Sequence, residues 1–381
     1  MTEYINVKIT SAENASRLKV VWSRGGREFR PYLLDIDMVR RTANEHVRPA
    51  LTELVRAMRA QDRTRIADAL RETAVAGRRL HDVLFYAEAG SAQDPASVQK
   101  WLAKMDDVRI GFTVDPRIHV PWGLVFDSDP DAIPAGAIDS QHYDSFWCLK
   151  YEVSTVYSFL EPLGLQSPAD PEAFSLAAAV DEQVLGRILD KIGADDQEAW
   201  QSVKSAARAF FTSSSDLIQQ WNQNSDTIAL LYFLCHASGT ELRLTNDQLS
   251  IDDFKLKLRR QSSVDRPPCL VILNGCLTAT GSETGGFLEA TGASGYCGFI
   301  GTETKIPDVF AFRFGRDLVA RMLFNGETAA EALAQLRKAH WPLSLVYQLY
   351  GDPALQVKVP ESRFTPTNAN YSDGPLGTHD I

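Results

Sequence analysis

The chain has 381 residues, of which 44% are hydrophobic and 23% charged, with 49 acidic residues against 39 Lys and Arg for a formal net charge of −10. These are values of a folded globular protein and exclude general disorder, a collagen-like repeat and a coiled-coil rod. No apolar run approaches the roughly 20 residues a membrane span needs, and the start MTEYINVKIT lacks the basic, apolar and small-residue pattern of a secretory signal. A cytoplasmic location is expected.

Charge is unevenly spread. Residues 1–110 carry 19 Lys and Arg against 15 Asp and Glu, whereas the remaining residues carry 20 against 34. The arginines at 40–41, 56–65 and 78–79 alternate with acids at helical spacing, as on a solvated face laced with ion pairs. An acidic remainder argues against binding a phosphate backbone, so no nucleic-acid partner and no membrane partner are expected.

In chain order, residues 4–9 and 18–33 alternate apolar and polar around Gly25-Gly26, the pattern of a β-hairpin region. Apolar residues recur every three or four positions over 37–59 and 63–85, which predicts a helical hairpin turning near Gln61-Asp62. A short helix is expected over 95–105 and strands over 108–114 and 117–126, followed by a turn-rich stretch at 127–138 and a helical stretch around 139–162. Residues 1–126 therefore read as an α+β accessory region.

The pattern then changes. A strand is expected at 173–180, a helix at 182–192, and helices at 197–211 and 214–223. The continuous apolar run at 226–236 suits a strand buried on both faces. A small hairpin over 240–250 and a helix over 251–258 precede a second buried strand at 267–276. A glycine-rich loop (GSETGG, 281–286) leads to a short helix, a third buried strand at 297–301, helices at 308–324 and 327–339, and a strand-like LQVKV at 355–359. Strands alternating with helices imply an α/β fold with a mostly parallel sheet flanked by helices. The domain is expected over 139–359, with a mobile tail at 360–381.

Open parallel sheets carry their chemistry at the carboxyl ends of strands. Two candidate strands end there in reactive residues: one in Cys235-His236, the other in Asn274-Gly275-Cys276. An imidazole serves as general base and acid near neutral pH, and a neighbouring thiol supplies a thiolate nucleophile. Cys235, Cys269 and Cys297 read as core residues, Cys148 as a small buried hydrophobe, and five scattered cysteines without a CxxC pair fit neither a disulfide framework nor a zinc ribbon. No phosphate loop, HExxH or grouped Cys/His set is present, so neither a cofactor nor a metal is expected.

These blocks carry a family resemblance. LLYFLCHASG (230–239) and CLVILNGC (269–276) resemble the His and Cys blocks of the CHAT-domain peptidases, the bacterial branch of the caspase-like cysteine peptidases, which are related also to separase. Residues 298–339 resemble the family's next block, LYGDPALQV (349–357) its closing segment, and HVPWGLVFD (119–127) the "PWE" strand that precedes the peptidase half in many members. Gly123 stands where those members have an acid.

The resemblance implies a cysteine endopeptidase with Cys276 as nucleophile and His236 as general base and acid. The oxyanion would be held by the backbone N–H of Cys276 and by one of Ala237, Ser238 or Gly239, with Ala237 standing where many relatives have Gly. Asp308 matches the acid that separase-like members place near the substrate's P1 side chain, which would favour Lys or Arg there; capping of the following helix is the equal alternative. The resemblance further implies a protein substrate, such as a pore-forming or regulatory protein, in a bacterial defence or cell-death pathway. Sensing would fall to a separate activator protein or to residues 1–110. Two other readings stay open, a catalytically silent scaffold and a cysteine hydrolase or acyltransferase acting on small molecules.

Overall fold

The structure is a computed structural model and describes residues 3–12, 16–29, 31–85, 95–102, 104–105, 108–115, 118–157, 175–224, 227–259, 269–280, 286–351 and 355–356. The chain divides into two compact units, residues 1–159 with 341–345, and residues 160–340 with 346–381. Among the described residues no helix is long and apolar enough to cross a membrane.

The first unit opens with β1 (Glu3–Ser11), β2 (Arg17–Arg24), β3 (Arg27–Glu28) and β4 (Tyr32–Asp35). Gly25 and Gly26 turn the chain with positive φ of 53° and 79°, which L-residues with a side chain rarely adopt. Helices α1 (Ile36–Arg41), α2 (Arg48–Ala60) and α3 (Arg63–Phe85) follow, with Gln61 in the left-handed region between the last two. After α4 (Pro95–Leu102) come β5 (Val108–Val114), the single helical turn α5 (Trp147–Lys150) and β6 (Glu152–Tyr157). The strand order is β3-β2-β1-β5-β6, with β4 beside β2; β1, β5 and β6 run parallel. Trp22 stacks on Phe85 at 5.6 Å and Phe112 on Trp122 at 4.9 Å, and all four are buried, so sheet and helices share an aromatic core.

Two expectations fail in this unit. The expected strand at 117–126 is not formed by its described residues, 118–126: a 3₁₀ turn covers Trp122–Leu124, and Phe126 N–H donates to Gly77 O on α3 rather than to a ladder. Pro121, which has no N–H, sits in the middle of this stretch. Nor is 139–157 one helix. The aromatic residues Tyr143, Phe146, Trp147 and Tyr151 recur at helical spacing, but they are buried by irregular chain and the single turn of α5, and Tyr143 Oη donates to Ala137 O. The β-branched EVSTVY then pairs with β5 as β6. Residues 158–162 lie outside the described residues.

The second unit contains β7 (Ser175–Val180), α6 (Glu182–Leu189), α7 (Ala194–Ala206), β8 (Ala207–Phe211), α8 (Ser214–Asn224) and β9 (Ile228–Leu234). The short strands β10 (His236–Ala237), β11 (Glu241–Arg243) and β12 (Gln248–Ser250) form a separate antiparallel sheet leading into α9 (Ile251–Lys257). Then follow β13 (Leu270–Asn274), α10 (Phe287–Ala293), β14 (Gly298–Thr302), α11 (Asp308–Phe324), α12 (Ala329–Ala339) and β15 (Tyr347–Gly351).

The order of the main sheet here is β15-β14-β13-β9-β7-β8, parallel except for β15. Strands β9, β13, β14 and β15 are buried along their whole length, and in β9 consecutive side chains meet different helix layers. Tyr232 packs near Trp200 of α7, while the next residue, Phe233, packs near Phe254 of α9. The fold class is thus α/β, a mostly parallel sheet flanked by helices.

The expected helix at 197–211 stops at Ala206, because 207–211 add an edge strand to β7. Strand β15 is an element that the sequence reading did not pick out. Of LQVKV, Leu355 and Gln356 are described, with Gln356 bridging to Thr328; residues 357–359, the tail and the loop at 281–285 lie outside the described residues.

Candidate active site

The site is built by register. β9 and β13 run parallel, with Leu234 opposite Asn274 as the last pair. The next residues leave two neighbouring strands, roughly 4.8 Å apart by general sheet geometry, at the same level. They are Cys235-His236 on one strand and Gly275-Cys276 on the other.

Gly275 closes the gap. A Cβ at this position would stand 2.8 Å from Cys235 O and 2.9 Å from Ala237 Cβ. Only a residue without a side chain lets the turn that carries Cys276 lie against the histidine segment.

The turn after β13 is tied from several sides. Thr302 Oγ1 donates to Gly275 O at 2.5 Å, and Thr278 Oγ1 donates to Leu273 O at 3.0 Å. Thr302 N–H in turn donates to Thr278 Oγ1, and Ala279 N–H to Thr302 O. Leu277, directly after Cys276, has φ of 59°, a left-handed conformation that costs a residue with a side chain about 1–2 kcal/mol. Its N–H donates to Thr304 O, and Thr280 Oγ1 donates to its carbonyl. The strain is held by these ties from β14 and its extension.

Behind the turn sits Asn274, 1% exposed. Its Nδ2 donates to Ala311 O on α11 (2.6 Å) and to Tyr232 Oη (3.0 Å), and its Oδ1 accepts from Tyr347 Oη (2.5 Å). Gly315 on α11 admits the amide, since a Cβ there would stand 2.2 Å from Asn274 Nδ2. Burial pushes the Tyr232 and Tyr347 hydroxyls up, so both remain neutral donors or acceptors at ordinary pH. One residue therefore fastens β13 to β9, β15 and α11, two positions before Cys276.

The cysteines separate clearly. Cys148, Cys235 and Cys269 are buried, and burial, with the Asp181 carboxylate second and Cys276 third, pushes the Cys235 thiol far up. Cys276 and Cys297 are half-buried. Cys297, expected in the core, instead lies at the amino end of β14, where its N–H donates to Cys269 O. Cys276 lies at the carboxyl end, its Sγ 3.9 Å from Ile306 O.

His236 is exposed and begins β10, paired with Arg243 on β11. Helix α6 is anchored beside it: Asp181 N–H donates to Leu234 O, and the Asp181 carboxylate accepts from Gln183 N–H and Val184 N–H. This brings Arg187 Nη2 to 3.0 Å from His236 Nε2. A guanidinium only donates, so Nε2 is the acceptor here and the imidazole carries its proton on Nδ1.

The candidate oxyanion donors differ in availability. Ser238 N–H donates to Glu241 O, which removes it from the set. Among the described residues the N–H of Gly239 makes no backbone hydrogen bond. Ala237 lies against Gly275.

Asp308 is the first residue of α11, with Pro307 as N-cap and no side-chain capping bond. Its half-buried carboxylate makes no ion pair among the described residues, and it follows Ile306, the neighbour of Cys276, by two positions. Arg187 and the Asn274 clamp escaped the sequence reading. An arginine on a helix face and an asparagine inside an apolar strand carry no spacing signal, although a lone Asn in VILNGC is the kind of buried polar residue that demands partners.

Residues 124–350 match the family model for the CHAT domain. A search of curated proteins finds no match. Among solved structures, the Saccharomyces cerevisiae separase–securin complex has a TM-score of 0.55 at 12% identity over 93% of this chain. The match spans 30% of that separase chain's length. The Arg-specific cysteine proteinase gingipain R gives a TM-score of 0.44 at 11% identity, over 71% of this chain and 69% of that one. The pro- and mature domains of the Porphyromonas gingivalis protein give 0.44 at 11%, over 69% of each. At 12% identity the likeness to separase is one of fold.

Proposed function

The chain belongs to the CHAT-domain family, with the fold of caspase-like cysteine peptidases, and from that premise we propose that it is a cysteine endopeptidase acting through Cys276 and His236. The observation that carries this reading is the arrival of a half-buried thiol and an exposed imidazole at neighbouring, in-register strand ends.

In the proposed mechanism His236 accepts the Cys276 proton, and the thiolate attacks the scissile carbonyl carbon. The tetrahedral oxyanion receives N–H donors from Cys276 and from Ala237 or Gly239. The imidazolium then protonates the leaving amine as the C–N bond breaks. Water, deprotonated by His236, attacks the acyl-enzyme, and the thiolate leaves and regains its proton from the imidazolium. Asp308 is the proposed receptor for a P1 Lys or Arg, by charge-assisted hydrogen bonds. The substrate is proposed to be a protein partner, pore-forming or regulatory, cleaved at few sites in a defence or cell-death pathway. An activator protein or the 1–110 region would supply sensing.

The test uses a diverse peptide library with mass-spectrometric readout, comparing the wild type with Cys276→Ala and His236→Ala. Cleavage that requires both residues supports the reading. A folded wild type that cleaves nothing in a Cys276-dependent way overturns it in favour of a silent scaffold.

A further inference from the structure

The proposed dyad leaves Arg187 unused, although it touches His236 directly. Arg243 reaches the same place from another element. It stands opposite His236 in the β10–β11 pair, so the two exposed side chains project from one face of the small sheet, with Gln248 beyond them on β12.

Neither arginine has an acidic partner among the described residues. Several other arginines of this unit are held by carboxylates. Arg313 and Arg316 are held by Asp196, Arg316 also by Asp317, and Arg321 by Glu327. The acids nearest in sequence are otherwise placed. Asp181 caps α6 and Glu241 lies two residues from Arg243 on β11, while Glu182 is the first residue of α6 and Asp190 its C-cap; none of them pairs with either arginine. Two guanidinium groups with no carboxylate partner among the described residues, one of them bonded to the imidazole, form a local positive site in an acidic stretch of chain.

The position relative to the chemistry follows from the reaction. The general acid must reach the leaving nitrogen, so groups bordering His236 face the part of the substrate that departs with that nitrogen. Resting on the peptidase reading above, we infer that Arg187 and Arg243 form a subsite for an acidic side chain, Asp or Glu, one or two residues after the scissile bond. A carboxylate is the stronger acceptor for a guanidinium fork. Its arrival draws Arg187 off Nε2 and leaves that nitrogen free to exchange protons, so the preferred substrate completes the site that cleaves it.

The experiment uses the full chain and quenched fluorescent peptides built on a sequence that the wild type cleaves. The residue after the scissile bond, and then the next one, is varied among Glu, Gln and Lys. The expected wild-type order is Glu above Gln above Lys, with kcat/KM for Glu about tenfold or more above Gln, a span that narrows as salt rises. Arg187→Gln and Arg243→Gln each flatten that order, and Arg187→Glu turns it toward Lys. Equal cleavage of the Glu, Gln and Lys peptides by a Cys276-dependent wild type overturns the subsite while leaving the peptidase reading intact. Unchanged order in the Arg187→Glu variant does the same. Absence of any Cys276-dependent cleavage overturns both.

Discussion

Gly275 lies so close to Cys235 that a single added methyl group would stand 2.8 Å from its carbonyl oxygen and 2.9 Å from the Ala237 Cβ. Two strand ends that carry the candidate chemistry thus touch through a residue with no side chain. Gly275→Ala should push them apart. The expected outcome is a loss of about 10²-fold in kcat from a displacement of an ångström or less. The accompanying destabilisation should be about 1–3 kcal/mol, the usual cost of overpacking. Kinetics on a Cys276-dependent peptide, together with urea unfolding, separates the two effects.

Asn274, behind the turn that carries Cys276, should weigh heavily in stability. Asn274→Leu leaves Tyr232 Oη, Tyr347 Oη and Ala311 O without the amide that serves all three. Ala311 O keeps its place in the α11 ladder, and each buried hydroxyl left unpaired costs about 1–3 kcal/mol, so a total of about 2–6 kcal/mol is expected. Tyr347→Phe removes one donor and leaves one amide oxygen short of a bond, and should cost about 1–2 kcal/mol. Chemical denaturation of the two variants checks the order. Equal losses would show that the amide is not the hub.

The strand ends were legible from the sequence because buried parallel strands read as unbroken apolar runs, and IALLYFL and LVILN are such runs. A local signal also served well: the Gly25-Gly26 turn was read from its two glycines, whose positive φ the structure shows. What was not legible depends on partners distant in sequence. EVSTVY becomes β6 only because β5 offers a parallel edge, and ARAFF becomes β8 only because β7 does. Arg187 meets His236 from 49 residues away, through an anchor between Asp181 and Leu234 that no spacing rule reports.

His119 in the first unit should make stability fall in mild acid. Burial first, then the Arg48 and Arg40 charges, lower its pKa from the ordinary 6.5 to about 4. The folded chain therefore keeps the ring neutral while the unfolded chain takes up a proton below about pH 6.5. Stability is highest above that pH and falls as pH drops toward about 4, by about 3 kcal/mol at 1.36 kcal/mol per unit. His119→Gln, which keeps a polar group facing Tyr157 Oη, removes this contribution. The difference in unfolding free energy between wild type and variant should shift by that amount from neutral pH to about pH 4. A constant difference would show that the ring does not titrate abnormally.

Asp308 offers a test in which helix stability and substrate choice part company. An aspartate at the start of a helix is commonly a cap, but here Pro307 holds the cap position and no side-chain bond is made. The carboxylate still sits at the positive end of the α11 dipole, worth about 0.3–1 kcal/mol to the fold. Asp308→Asn should therefore lower stability by no more than that. On the proposed role, the same variant loses the charge-assisted bonds to a P1 Lys or Arg, about 1.5–3 kcal/mol. That corresponds to roughly a 10- to 150-fold fall in kcat/KM for basic P1 peptides, with smaller change for neutral ones. A large loss of stability with an unchanged P1 preference would return Asp308 to the helix. A collapsed preference in a protein of near-normal stability assigns it to the substrate.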